Sequence, residues 1–426
     1  MSNVPLLEHK EATAEDSYLD EPIFDHVTPS DTNTLGAVQV LINTAIGSGT
    51  LMVPYCYTTG VGFSLIISLI FCFVGIFSQY FFVLSSRFTK KYDYHGLFCA
   101  TFGEKHVWIV QTMIFLVQFG SCMIYCHWNG RLVPKVIGKS NDTGILGNHP
   151  FWIFVLAVTC VFPLVCLRSI KQLEKFAYLS SGCILLLIVH SIYWFFVGLH
   201  RHSVDIPSKI VWFKWSPILI TCLSVNSMAY NCHMNLFPTL HHLERSTYKR
   251  SRSLIIWVMV GAFVLYNLYG VFTYLFLFDS IGKGSALEAY TEKSLFTTLT
   301  IGGIVFDLII SVPIVIWAAR TSINDMFFGN EPTTLRWVTM GALLTLGTAI
   351  FASVSDNVVL FFDVVGGLFT PSLIFLLPCL FYLYNQKGEP YWRIVVACAV
   401  SIFSIVATIA CTYQAIDEVI DTYRKK

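Results

Sequence analysis

The sequence predicts an all-α, polytopic membrane protein, and its composition, its apolar periodicity and two interrupted spans carry that prediction. Of 426 residues, 55 % are hydrophobic and 12 % charged, with a mean hydropathy of +0.65; water-soluble domains carry about 25 % charged residues. A bilayer-crossing helix needs about 20 apolar residues, and runs of that kind recur along almost the whole chain. Eleven can be drawn, at roughly 34–58, 61–86, 106–130, 150–167, 176–199, 214–237, 253–279, 294–318, 335–354, 357–384 and 392–415. The expected organisation is a tail over 1–33, an eleven-helix domain over 34–415 and a short extracytosolic tail over 416–426.

The first 33 residues lack an apolar core and are acidic, with Glu8, Glu11, Glu15, Asp16, Asp20, Glu21, Asp25 and Asp31. They are neither signal peptide nor span, and read as a disordered cytosolic tail. Orientation follows from loop cations, which are enriched on the cytoplasmic side. With the N-terminus inside, the inner loops hold fifteen Lys and Arg, including Arg87, Arg250, Arg320 and Arg393, against eight outside. The C-terminus, ending at Lys426, then lies outside. The sequon at Asn141 falls in the outer loop after the third span, as a glycosylation site requires.

A net charge of +1 gives no sign of a nucleic-acid partner. The thirteen cysteines lie mostly in or beside apolar runs, so no disulfide framework is expected, and Cys122, Cys126 and His127 read as helix packing rather than a metal site. No cofactor is implied.

The first span, LINTAIGSGTLMVPYCY, places Gly47, Ser48 and Gly49 at its middle and Pro54 soon after. In hydrocarbon every backbone N–H and C=O needs a partner, so an unwound stretch survives only inside protein or beside a wet cavity. Close helix packing through small residues is the competing reading. The sixth span decides between them, because SVNSMAYNCHMNLFPTL carries Asn226, Ser227, Asn231, His233 and Asn235. Interrupted helices at the start of each of two five-span halves are the pattern of an inverted-repeat transporter with a midplane binding site.

Four segments carry a family resemblance: INTAIGSGTLMVPYCYTTGVG in the first span, AYNCHMNLFPTL in the sixth, SVPIVIWAARTSI in the eighth and VVGGLFTPSLIFLLPCLFYL in the tenth. Together they resemble the amino acid/auxin permeases, and among them the sodium-coupled neutral amino acid transporters. The resemblance implies a LeuT-like fold of two inverted five-helix repeats plus an eleventh helix. It implies a monomeric carrier that moves amino acids, neutral ones above all, across the lipid bilayer by alternating access. Met234 and Asn235 stand where the family carries Pro-Glu after its Cys-His, and the outer-loop cysteines of the sodium-coupled branch are missing. The coupling ion therefore stays open between H+ and Na+, and the membrane between the plasma membrane and a vacuolar or lysosomal one.

Site residues follow. A substrate carboxylate needs donors where no water competes, and the N–H groups of a broken helix with the positive end of its next half supply them, at Gly47, Ser48 and Gly49. By the same resemblance, the carbonyls of Asn43 and Ile46 and the Ser311 hydroxyl would face a cation, since hard ions take oxygen ligands. Carbonyls between Ser224 and Tyr230, with Ser227 among them, are expected at the substrate's amino group. Tyr230 either shapes the substrate pocket or is ordinary packing, and His233 is either a gate or proton-linked group or bonds a carbonyl. Asp307 and Asp363 are the ionisable residues well inside the spans. Asp363 precedes Gly366 and Gly367 and suits an outer gate. Asp307 shares a helix face with Thr300 and Ser311, and a carboxylate facing lipid would cost about 2.5–3.5 kcal/mol, so this stripe is expected to face the first break. Rival classes are a membrane acyltransferase using His241, for which no catalytic constellation is found, a channel, and an amino-acid-sensing receptor of transporter-like build.

Overall fold

The computed structural model describes residues 18–24, 32–140, 142–168, 171–201, 210–282, 286–291, 294–354 and 357–424. For Ser48, residues 171–177, Asp279 and residues 421–423 it describes the backbone only, and Asn141 and Lys426 lie outside the described residues. The described chain is helical. In order the helices are α1 (Thr34–Ala45), α2 (Ser48–Cys56), α3 (Val61–Thr89), α4 (Tyr94–Phe102), α5 (Val107–Val136) and α6 (His149–Val165). They continue with α7 (Lys171–His200), α8 (Ile218–Ala229), α9 (Leu236–His242), α10 (Tyr248–Leu277) and the single turn α11 (Ala286–Ala289). The last four are α12 (Leu295–Phe327), α13 (Thr334–Ala352), α14 (Val358–Asn385) and α15 (Tyr391–Arg424).

Every predicted span is helical. Among the described residues eight helices are long and apolar enough to cross a bilayer, and the pair α1 and α2, bent by 66°, makes a ninth. The fourth span is the shorter helix α6, and the sixth is in two pieces, α8 and α9, so neither passes a length test alone. The core elements pack as follows: α12 lies along α5 and α7, α8 packs against α2 and α14, and α10 against α3. In α14 the backbone widens to π-helical turns at Phe362–Phe369 and Ser372–Leu376. Gly366 there lets α14 lie on α8, because a Cβ would stand 2.5 Å from the Ser224 carbonyl oxygen.

Three expectations need correction. Residues 18–24 were expected in a disordered tail, yet Tyr18 and Ile23 are buried. The Tyr18 ring lies 4.1 Å from the Arg87 guanidinium and its hydroxyl 3.1 Å from that of Tyr80. The backbone N–H of Ile23 donates to the Ser246 carbonyl and that of Lys249 to the Leu19 carbonyl. The acids that read as solvating instead meet basic side chains at the ends of α3 and α10, Glu21 facing Arg87 and Asp20 facing Lys249, each at 3.8 Å. Exposed pairs of this kind contribute little; the buried rings and the backbone bonds hold the segment.

The second correction is at the other end, where α15 continues as helix to Arg424 through residues expected as a tail. The third is Arg320, expected in an inner loop. It belongs to α12, is buried against the Trp337 ring at 3.8 Å, and donates to the Val165 carbonyl. An arginine near a helix end can keep its charge satisfied in this way by ring and carbonyl contacts.

Candidate substrate and ion site

At the first break the hydrogen-bond ladder changes register over two residues. The Ile46 N–H still reaches Ile42, but the Gly47 N–H turns to the Ala45 carbonyl at 2.8 Å and the Thr50 N–H to the Gly47 carbonyl at 3.1 Å. The carbonyls of Asn43 and Ile46 thereby lose their helical donors. Ser48 and Gly49 open α2, and the first N–H groups of any helix have no partner inside it. They carry the positive end of its dipole.

A cavity of about 10 Å³ lies at this break, lined by Ile46, Gly47, Thr50 and Leu51 of the first span, Ile184 and Leu187 of α7, and Ile304, Asp307 and Leu308 of α12. It has room for about one water-sized species. Asp307, 5 % exposed, is its one charged lining residue. The Ser180 hydroxyl donates to the Asp307 carboxylate, and it also lies 3.4 Å from the Asn43 side-chain oxygen, which accepts from Ser181 at 3.1 Å. Asn43 thus enters the site through its side chain as well as through its freed carbonyl.

Ile46, Gly47 and Asp307 therefore meet around one cavity, with Asn43 joined to Asp307 through Ser180. Ser311 is half-buried one helical turn beyond Asp307 and does not line the cavity. Thr300 donates to its own helix at Phe296. The two glycines of the break do different things. A Cβ at Gly47 would stand 2.5 Å from the Tyr125 hydroxyl of α5, whereas one at Gly49 would stand 2.7 Å from the Ala229 Cα of α8. Gly49 is where the two broken spans touch; Gly47 faces a hydroxyl.

The sixth break is knitted more tightly. The Tyr266 hydroxyl donates to the Ala229 carbonyl at 2.6 Å, and the Asn231 N–H turns to Met228, which frees the Ser227 carbonyl. The Ser227 hydroxyl donates to Leu223, so Ser227 can meet a ligand through its backbone. Tyr230 is fully buried and bonds Ser68 at 2.9 Å, Ser68 accepts from Asn267, and Asn267 accepts from Tyr57. His233 bonds the Ser78 hydroxyl of α3 at 2.7 Å rather than a carbonyl, and neither residue lines the cavity. Asp363 is buried in α14 and accepts from Thr221 of α8 at 3.2 Å, which joins the two helices. His241, the rival catalytic residue, is exposed and edge-on to Phe24.

Sequence reasoning missed Tyr125, Thr50, Ser180 and Ser181. A tyrosine in an aromatic-rich span gives no signal, but Ser180-Ser181 is a hydroxyl pair near the start of an otherwise apolar run, and that was legible.

Known proteins place this geometry. The chain resembles the "Putative sodium-coupled neutral amino acid transporter 11" of Rattus norvegicus, at 26 % identity over 83 % of this chain and 78 % of that one. It also resembles the Homo sapiens protein "Solute carrier family 38 member 10", at 20 % identity over 91 % of this chain and 36 % of that longer one. Among solved structures, MhsT in complex with L-phenylalanine matches 91 % of this chain and 100 % of its own at 15 % identity and a TM-score of 0.63. Mhp1 in a closed conformation with bromovinylhydantoin bound matches at 13 % identity over 93 % and 92 %, also with a TM-score of 0.63. These likenesses show the LeuT-like fold of the membrane domain. The family model described as "Transmembrane amino acid transporter protein" matches residues 30–417, and the chain belongs to that family of integral, multi-pass amino acid transporters.

Proposed function

We propose that the chain carries neutral amino acids by alternating access and that Asp307 takes the coupling ion, a proton. The carrying observation is a carboxylate enclosed in a small cavity whose other lining is mostly Ile and Leu, with a serine hydroxyl as its hydrogen-bond donor. A buried charge in such surroundings is costly, and binding a proton removes it without further ligands. Sodium is the second reading, favoured by the name of the rat relative. It would need several oxygens at once, and Asn43, Ile46 and Thr50 are the nearest supply.

The substrate carboxylate is taken by the N–H groups of Ser48 and Gly49 with the Tyr125 hydroxyl, and its amino group by carbonyls freed at the two breaks, Ser227 among them. Ser311 and Asp363 act outside this first contact, Ser311 as a reserve oxygen below Asp307 and Asp363 as a tie across the outer half. Reconstituted protein should accumulate a neutral amino acid when the outer side is more acidic, and Asp307→Asn should abolish that accumulation while leaving substrate exchange. Accumulation by the variant that still follows the pH gradient overturns the role of Asp307; wild-type accumulation driven by sodium and indifferent to pH overturns the proton.

A further inference from the structure

Just before α8, five consecutive residues, Val211, Trp212, Phe213, Lys214 and Trp215, are exposed, four of them are apolar, and the transport reading uses none of them. Trp215 is 85 % exposed, and Trp212 and Phe213 58 % each. An exposed apolar run of this length marks a surface that something covers.

The run is held in place. Its extended backbone lies along the turn between α2 and α3, where the Val61 N–H donates to the Val211 carbonyl, the Gly62 N–H to the Trp212 carbonyl and the Lys214 N–H to the Thr59 carbonyl, each at 2.9 Å. Two glycines make the room. Gly60 has φ +104°, and a Cβ there would stand 2.5 Å from the Trp212 carbonyl oxygen, while one at Gly62 would stand 2.4 Å from the Phe213 ring. Phe63, in the first turn of α3, meets the Phe213 and Trp215 rings edge-on at 5.0 and 5.1 Å.

What covers the run follows from α3. Ile66, Ile70 and Phe73 are exposed along the helix face that starts at Phe63, and α3 is long and apolar enough to span, so this face turns to acyl chains. The rings of 213 and 215 continue the same surface past the start of the helix. At 29 residues α3 is about 43 Å long, and a bilayer with its headgroups measures about 40–45 Å. The turn before α3 therefore stands at headgroup level. Non-helical backbone is excluded from the lipid-facing hydrocarbon, whereas Trp rings and a lysine with its ammonium in water suit the interface.

We infer that residues 211–215 are an interfacial anchor whose partner is the headgroup layer of a phospholipid bilayer. The aromatic rings enter the upper acyl region, and the Lys214 ammonium meets phosphate oxygens. Because the run is bonded to the turn after α2 and leads directly into α8, it fixes the depth at which both broken spans sit.

The test is tryptophan fluorescence of the full-length protein in phosphatidylcholine vesicles whose acyl chains carry bromine near the headgroup or near the chain end. The difference between wild type and Trp215→Phe isolates the removed indole from the other tryptophans, and Trp212→Phe does the same for its neighbour. Each difference signal should be quenched about twice as much by the shallow bromine as by the deep one, and should be shielded from aqueous iodide. A signal quenched by iodide and untouched by either lipid overturns the inference, since the ring then faces water or another protein. Stronger quenching by the deep bromine overturns it as well, because the run would lie within the hydrocarbon. If Trp215→Phe fails to fold, Trp212→Phe decides by the same three readings.

Discussion

The first and sixth spans break at corresponding places, but their breaks are finished differently. At the first, the backbone turns within two residues and leaves carbonyls and N–H groups beside a cavity that holds Asp307. At the sixth, aromatic and polar side chains from α3 and α10 take up the loose ends: Tyr266 on the Ala229 carbonyl, Ser68 on Tyr230, Ser78 on His233. Buried polar groups must be satisfied, and at the sixth break neighbouring side chains take up several of them while the Ser227 carbonyl keeps no helical donor. The first break lies open to the cavity, and the sixth is held by more side-chain bonds.

That contrast is broken most forcefully at Gly47. A β-branched side chain there runs into the Tyr125 hydroxyl, the end of a side chain that can move, so Gly47→Val should fold and reach its membrane yet lose substrate binding altogether. Equilibrium binding of a labelled amino acid checks it, and affinity within about twofold of wild type would return the first break to mere packing. At Gly49 the obstacle is the Ala229 backbone, and overpacking a tight core costs about 1–3 kcal/mol. Gly49→Val should therefore lower thermal stability first, with lost uptake following lost protein.

Next in size is Tyr125→Phe, which keeps the ring and deletes the hydroxyl facing Gly47. Loss of one hydrogen bond to a charged group costs about 1.5–3 kcal/mol, so the Kd for substrate should rise about tenfold or more while thermal stability stays near wild type. An unchanged Kd would remove Tyr125 from the carboxylate site.

Much of this was legible in sequence, and the limits have physical causes. Span positions and both breaks follow from hydrophobic runs and from the cost of unpaired backbone in lipid, which act locally along the chain. Asp307 was legible because a carboxylate in a span is rare, and its face because helical spacing is fixed. What lies across the cavity was legible only as a hydroxyl pair in an apolar run, since which groups Ser180, Ser181 and Tyr125 meet is decided by packing between distant helices. Tyr230 and His233 show the opposite limit: polarity inside a span signals that a group must be satisfied, not that Ser68 and Ser78 are what bond them. For residues 18–24, composition does not report the basic partners that Asp20 and Glu21 meet elsewhere in the chain.

A smaller effect is expected at the sixth break itself. Tyr230→Phe deletes the bond to Ser68 and should lower stability by about 1 kcal/mol, visible as a modest fall in Tm, while substrate Kd stays within about twofold. A tenfold loss of affinity at unchanged Tm would make Tyr230 a substrate residue and erase the contrast between the breaks.

The smallest effect, and the sharpest on mobility, belongs to the end of the bundle where the two broken spans are tied together. Thr32, just before α1, pairs with Leu243, just after α9, and the Glu244 N–H donates to the Thr32 carbonyl at 3.0 Å. Residues 18–24 dock on the same loop through Ser246 and Lys249, with Tyr18 as the buried anchor. Tyr18→Ala removes that anchor's ring contacts with Arg87 and Tyr248, leaving the tie at Thr32 alone. If the first break is the mobile one, the loss should appear as faster amide hydrogen exchange over α1, which must swing, and not over α8, whose end is held by Tyr266. Exchange reports local opening of this kind even where global stability hardly moves. Equal acceleration in both helices would mean that the sixth break is no more rigid than the first, and no acceleration would mean that the 18–24 segment rests on the inner face without restraining it.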